Sequence, residues 1–481
     1  VETKQSFQKF YFYLTLTKAS EKLYLSYPEM DNQGGGLNPS SYLREIETLF
    51  PCLEEEYMET GQYYINDATM LNVFATELRK IKEEGITGTL KSVAGDLWSR
   101  RENRPIMEEM IDKAFFHYEP ENIGASRARS LYGATIHTSP TRLEQEATCP
   151  FSQFLKYGIG LTERDVYEVS QKDIGSVYHM ALEQFFKVTK TNNLNWVELT
   201  KEERSQYIDS CMENISENYK DSLFKSSAKN KYFVRRISSV LSDTVDILAK
   251  QIQKSGYTVK DVEIDFSGRN SAALDLPMET GSRMLVSGRV DRMDVKESDN
   301  NIMYAKVIDY KTGSTTFDAT LAYNGLQLQL IYMDAANGIV KAECPDKDVR
   351  SGGFAYYHVK DQYIETDGTD SAEQLEAKLL KSMEMSGVIN LSAEPDAKKN
   401  GVEEETLHGI QKRVKSEAIR LGKKICKGDI EVSPYKRNDR TGCTYCPYRA
   451  VCGFDVSLSG YEYRNLKEVS KDAFSEVRKE E

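Results

Sequence analysis

The stretch Met284–Gly313, MLVSGRVDRMDVKESDNNIMYAKVIDYKTG, reads as a β-hairpin carrying a metal site. Its second arm, from Met303 to Lys311, alternates with a period of two. Ala305, Val307, Asp309 and Lys311 therefore share one face, and Tyr304, Lys306, Ile308 and Tyr310 the other. The first arm carries Gly288-Arg289-Val290-Asp291, and the polar run Glu297 to Asn301 between the arms is a turn by composition. A turn centred on Asn300 sets Asp291 directly opposite Asp309. Opposed residues of an antiparallel pair have Cβ atoms about 5 Å apart, close enough for both carboxylates to bind one hard cation, with Lys311 beside them for a water or a developing oxyanion.

Asp and Lys near strand ends are common, and a lone D-x-K describes a solvated strand end as well as a site. Two carboxylates and a lysine on one hairpin face are harder to set aside. GRVDRMD followed by VIDYKTG resembles the core of the PD-(D/E)xK nucleases, in particular their RecB/AddB branch. The resemblance implies an α/β fold, a central mixed sheet flanked by helices, that cuts DNA with Mg²⁺ held by Asp291, Asp309 and the carbonyl of Tyr310 while Lys311 serves the reaction.

Working outward, 481 residues leave room for about three domains at the usual ~150 residues each. The net charge of -12 argues against gripping nucleic acid by bulk charge, yet leaves a local basic groove open. With no apolar run of 18 residues and no signal-peptide pattern, the chain reads as soluble, unsecreted and cytoplasmic. Eight Cys in such a chain read as metal ligands and buried thiols rather than a disulfide framework.

Phe7–Tyr27, FQKFYFYLTLTKASEKLYLSY, reads as a helix followed by a strand at Lys22–Tyr27. It resembles the last ATPase motif of UvrD-type helicases, with Lys18 where that motif has an arginine. Lys keeps the charge but loses the planar fork that binds phosphate bidentately, and the G-x-x-x-x-G-K-[ST] loop is absent, so ATP hydrolysis is not expected. The expected organisation is a helicase-domain remnant over 1–36, so that the chain is a C-terminal fragment, then a helical connector over 37–138, the nuclease domain over 139–457 and a polar tail over 458–481. Gly34-Gly35-Gly36 and Asn38-Pro39 mark the first joint. Leu71, Val73, Phe74 and Leu78 in the connector recur at helical spacing and read as core.

At Ser139 the text changes to SPTRLEQEATCPFSQFLKYGIGLTERD, a helix opened by Pro140 and ended at Cys149-Pro150. Far downstream, Cys443, Cys446 and Cys452 form Cys-x2-Cys-x5-Cys and need a fourth ligand for a tetrahedral or cubane site. Cys149 is the candidate. Spacing alone does not separate zinc from iron-sulfur, but one Cys before and three after the nuclease core resembles the iron-sulfur arrangement of the RecB/AddB branch and implies a [4Fe-4S] cluster. Cys443 lies 294 residues after Cys149, and in the cross-link picture so long a clamp removes about 5 kcal/mol from the unfolded ensemble. Cys52, Cys211, Cys344 and Cys426 lack such company.

Asp173 to Phe186 reads as a helix with an apolar face through Val177, Ala181 and Phe185. Gly175 and His179 share a face at i, i+4, where a glycine permits close approach of another element. The G-x-x-x-H pattern matches the RecB/AddB branch, in which this His helps hold the catalytic cation; Glu183 extends the same face. Leu321 to Ala336 reads as one helix. The resemblance implies a Gln four residues before a Tyr there, but Gln329 stands three before Tyr332 and Gln327 five before it, so both remain candidates. Gly353–Val359 reads as a strand. Two basic runs stand out: Lys229, Lys231, Arg235 and Arg236 in one helical region, and Lys412, Arg413, Lys415, Arg420, Lys423 and Lys424 in another. Such runs are usually solvated faces, and the second could also follow phosphates. The resemblance implies DNA as substrate, single-stranded and as duplex ends, and an AddA-like helicase-nuclease partner in a heterodimer. Two rival readings are an idle scaffold that binds DNA ends and a free-standing iron-sulfur exonuclease.

Overall fold

A computed structural model describes residues 2–30, 36–56, 66–164, 169–220, 224, 226–266, 274–278, 283–298, 301–361, 370–397 and 399–476. Gly34 and Gly35 of the expected joint and Asn300 at the expected turn centre lie outside them. The chain divides into two compact units, Val1–Phe116 and His117–Glu481.

The first unit is helical, with helices Glu2–Leu16, Ser41–Leu49, Asp67–Glu84, Gly88–Ser99 and Arg104–Ala114. Phe74 and Leu78 enter its small core with Leu90, Val93 and Leu97, while Leu71 and Val73 pack against it half-buried. The expected strand at Lys22–Tyr27 is not formed. Leu23, Tyr24 and Leu25 are exposed, and alternation cannot make a strand without a neighbour to take its hydrogen bonds.

The second unit is built on a six-stranded mixed sheet of β1 (Thr258–Asp265), β2 (Arg289–Ser298), β3 (Ile302–Lys311), β4 (Asp348–His358), β5 (Ser386–Asn390) and β6 (Gly401–Val402), in that spatial order. β1, β2 and β3 are antiparallel neighbours, and β3 runs parallel to β4. The alternation of β3 is realised on both faces. Ala305 and Val307 join one apolar cluster and Ile308 and Tyr310 the other, so β3 is a central strand covered on both sides.

On the Tyr310 side lie α2 (Gln171–Thr191), α3 (Lys201–Asn218) and α4 (Ala228–Ser255). A capping box between Ser170 and Asp173 starts α2, satisfying two N–H groups that the first turn leaves open, and Val177, Ala181 and Phe185 are buried as its periodicity requires. On the other side lie α1 (Pro140–Thr148), α5 (Tyr332–Glu343) and α6 (Glu404–Lys427). Ser139 caps α1 through the N–H of Arg142. Residues 117–138 lie with this unit, where Thr135–Thr138 pairs in parallel with Arg283–Val286.

One further expectation is corrected. Leu321–Ala336 is not one helix: a short helix, Ala319–Tyr323, stops before Gly325 at φ +80, and a 3-10 turn, Gln329–Ile331, leads into α5. A left-handed residue ends a helix, and glycine takes that conformation without steric cost. The polar segment after Asp455 takes part in the fold. Arg464–Asn465 pairs with Tyr435–Arg437, and Phe474 is fully buried where its carbonyl packs so closely on α6 that Gly409 has no room for a Cβ. No helix among the described residues is long and apolar enough to cross a membrane.

Candidate active site

Three neighbouring strands each bring one carboxylate to the same level. β1 and β2 pair through Val262 with Arg292 and Ile264 with Val290, which sets Glu263 opposite Asp291. β2 and β3 pair from Ser298 with Ile302 to Arg292 with Ile308, the register expected for a turn at Asn300, and one further step sets Asp291 opposite Asp309. Backbone register therefore delivers a row of Glu263, Asp291 and Asp309, with Lys311 two residues further along β3.

His179 reaches this row from α2. Its Nδ1 lies 3.2 Å from Asp291 Oδ1, and the other oxygen of Asp291 accepts the Tyr310 N–H at 2.7 Å. Among the described residues, His179, Glu263 and Asp291 are the group whose metal-capable atoms all lie within 4.8 Å of one another. Asp309 is held differently: Lys311 Nζ is 2.5 Å from its Oδ2, and Gln329 Nε2 donates to its Oδ1 at 3.3 Å. A Cβ at Gly175 would meet Thr312 Oγ1 at an ordinary 3.6 Å, so α2 faces the end of β3 there without glycine being required. Glu183 pairs with Lys187 at 2.5 Å, and its charge bears on Glu263.

The row is electrostatically incomplete. Burial, then the charges of Asp291 and Glu183, pushes Glu263 up to about 7. Burial and Asp291 likewise raise Asp309 above its ordinary value, against the pull of Lys311. Burial disfavours a charged His179, but the hydrogen bond and charge of Asp291, with Asp309 and Glu263 behind it, hold its pKa above the usual value. Carboxylates that crowd one another and a histidine drawn toward protonation describe a place where positive charge is missing. A hard divalent cation meets that need with oxygen and imidazole donors.

The helix break at Gly325 gives the two glutamines different partners. Gln329 is turned onto Asp309, whereas Gln327 ties a neighbouring loop, donating to the Thr316 carbonyl at 2.7 Å and accepting the Asp318 N–H at 2.9 Å.

Two carboxylates escaped the sequence reading. Glu263 sits in Val262-Glu263-Ile264, an acid inside an apolar alternation, and that was its only signal. Its backbone is left-handed at φ +49, a costly conformation for a side chain other than glycine and one that clusters at working sites. Glu144 on α1 accepts the Leu328 N–H at 2.7 Å and faces the Gln329 N–H, so it caps the turn that presents Gln329. Burial pushes it up to about 7. Nothing local marks it.

The four candidate thiols gather at the far side of α1. Cys149 is buried at its C-terminus, and a Cβ at Gly442 would fall 2.9 Å from the Thr148 carbonyl, so the 441–443 turn rests on that helix end. The thiols sense one another: Cys149 feels Cys443, and Cys443 feels Cys446 and Cys452. Burial pushes Cys149 up to about 12, while the N–H groups of Ser152, Ser433 and Phe151 pull it back. Amide donors around a sheltered sulfur suit a coordinated thiolate better than a neutral thiol. Cys52, Cys211, Cys344 and Cys426 are free thiols.

Residues 137–453 match the PD-(D/E)XK nuclease superfamily, a span that contains the carboxylate row, His179, Lys311, Gln329 and all four gathered thiols. Similar curated proteins include an ATP-dependent helicase/deoxyribonuclease subunit of Lachnoclostridium phytofermentans, 31% identical over 98% of this chain and 43% of its own length. The corresponding subunits of Caldanaerobacter subterraneus subsp. tengcongensis and Clostridium tetani are each 28% identical, over 97% and 98% of this chain and 43% and 44% of their own lengths. The chain thus spans less than half the length of the curated relatives it matches.

Proposed function

This chain belongs to the PD-(D/E)XK nuclease superfamily, and we propose that it is the nuclease portion of a helicase-nuclease subunit that cuts DNA at double-strand ends for recombinational repair. The observation that carries the reading is the convergence of His179, Glu263 and Asp291 at the level of Asp309 and Lys311. His179, Glu263, Asp291 and Asp309, with the carbonyl of Tyr310, would hold Mg²⁺. A cation there supplies Lewis acidity toward the scissile phosphate and a more acidic water. The protein's own part is arrangement. The Tyr310 N–H fixes the rotamer of Asp291, and Gln329 fixes that of Asp309. Lys311 keeps its ammonium beside Asp309, where it orients the attacking water and faces the negative charge that grows on the phosphate.

Cys149, Cys443, Cys446 and Cys452 would hold a [4Fe-4S] cluster, and an AddA-like helicase-nuclease would be the partner in a cytoplasmic heterodimer that processes the 5′-terminated strand. The relatives' name, a subunit of an ATP-dependent helicase/deoxyribonuclease, supports the helicase-nuclease assembly in that assignment.

The test is oligonucleotide cleavage by anaerobically prepared chain. Cleavage should require Mg²⁺, and Lys311→Ala should lower kcat by about a hundredfold with little change in the Mg²⁺ concentration for half-maximal rate. A chain that neither binds nor cuts oligonucleotides with Mg²⁺ or Mn²⁺ overturns the proposal, and a Lys311 variant rescued by more Mg²⁺ overturns the role of Lys311.

A further inference from the structure

The two basic runs of the sequence have different fates. On α6, Arg413 donates to the Tyr323 carbonyl and Glu417, Arg420 binds Glu417, and Lys424 binds Asp429. These cations are engaged in holding the fold. On the first turns of α4, Lys229, Lys231, Tyr232, Arg235 and Arg236 are all exposed. Among the described residues Arg236 pairs with Asp361, while Lys229, Lys231 and Arg235 have no carboxylate partner.

This cluster stands on the rim of the candidate active site. The Val359 N–H donates to the Lys311 carbonyl at 2.8 Å, so the segment leaving β4 runs past the catalytic lysine and meets Arg236 two residues later at Asp361. From the other side, Tyr178, the neighbour of His179, faces both Arg236 and Asp361. The helical spacing of Lys231, Tyr232 and Arg235 puts them on one face, and the Tyr232 ring is 58% exposed. Four cations within eight residues of a chain with net charge -12 form a local positive field aimed at a polyanion.

We propose that the Lys229–Arg236 face of α4 is a track for single-stranded polynucleotide entering the active site, with a base stacked on Tyr232 and flanking phosphates on Lys229, Lys231 and Arg235. The inference rests on the nuclease reading and adds to it where the strand lies. The aromatic ring selects the single strand, because only an unpaired base offers a free face to stack on, whereas a duplex would use the cations alone.

The experiment measures cleavage and anisotropy binding of a labelled single-stranded oligonucleotide and of the same sequence as blunt duplex. Tyr232→Ala should raise the single-strand KM about tenfold, the scale of one lost base stack, with the larger part of the change in KM rather than kcat, and should affect the duplex less. Tyr232→Phe, which keeps the ring, should restore the affinity. Lys231→Glu with Arg235→Glu should weaken binding and lower the slope of log affinity against log salt by about 0.7 for each phosphate no longer neutralised. Lys254→Glu, roughly 33 Å further along the same helix, should change neither. Unchanged single-strand affinity and salt slope, an equal effect of Lys254→Glu, or equal weakening of duplex and single strand by Tyr232→Ala each overturn the track. Binding measured in the Asp309→Ala protein separates the two readings, because the track needs no cleavage while the nuclease assignment does.

Discussion

The carboxylate row and the thiol cluster are organised in opposite ways. Glu263, Asp291 and Asp309 are aligned by strand register within one sheet, and what the row lacks is charge. Cys149 and Cys443 come from opposite ends of the unit, yet those ends already meet through ordinary hydrogen bonds. The Phe151 N–H donates to the Glu431 carbonyl at 3.1 Å, and the Val432 N–H to the Tyr118 hydroxyl at 2.7 Å. In the row, the fold forces unfavourable neighbours together, which a bound cation would relieve. At the thiols, a bound cluster would reinforce a junction that the fold has made. Damage to the row should therefore show in chemistry and damage to the thiols in stability.

The largest effect should come from the thiols. Cys149→Ala should lose iron and acid-labile sulfide as completely as Cys446→Ala, because an open coordination position releases the cluster. The chain should lose up to about 5 kcal/mol of stability, the cross-link value for a loop of this length. Anaerobic metal analysis and denaturant melts check this. Stoichiometric zinc in a colourless parent, or full iron in the Cys149 variant, would remove the thiol half of the comparison.

Next is Asp309→Ala, which should slow cleavage by about a thousandfold while leaving the metal-free protein as stable or slightly more so, since it relieves crowding against Asp291. A thermal melt beside a cleavage assay reads both. A variant that unfolds as readily as the cysteine variants would erase the contrast between the two regions.

The smallest effect is in pH. His179, Glu263 and Asp309 all bind a proton more tightly folded than unfolded. The favourable contribution of protonated His179 is complete below its ordinary pKa and disappears as pH rises through its raised one. For the two carboxyls, ionisation in the fold is the costly event, so stability falls as pH climbs from the ordinary carboxylate range toward about 7. Metal-free protein should accordingly be less stable at pH 8 than at pH 6. Glu144 and Glu146, pushed up to about 7 and about 8, act in the same direction. The gain in Tm on adding Mg²⁺ isolates the row, and it should be larger at pH 8, where the cation displaces fewer protons. Equal gains at the two pH values would detach the cation from the row.

Much of this was legible in the chain itself. The polar turn and the strict alternation of Met303–Lys311 set the hairpin register, because shifting it by one residue would turn Val307 and Asp309 to the wrong face. The i, i+4 spacing put His179 on one helix face with Gly175, the face turned toward the end of β3, and Ser139 and Pro140 opened α1 where they stand. These are local relations that backbone geometry makes unavoidable. Lys22–Tyr27 shows the limit: it has strand-forming residues but no partner strand among the described residues.

What only the tertiary structure decided are the meetings of distant segments. Glu263 joins the site because β1 pairs with β2 after a register shift between Val259 and Asp261, which no periodicity announces. Gln329 rather than Gln327 reaches Asp309 because Gly325 breaks a helix that the apolar pattern would have continued. Phe474 becomes core because α6 offers it a glycine-cleared surface. Of two similar basic runs, α6 spends its cations on internal partners and α4 leaves its own at the rim of the site. The physical reason is common to all four. Period and spacing state which side of an element a residue occupies, but which other element covers that side depends on how the whole chain closes its apolar surfaces at once.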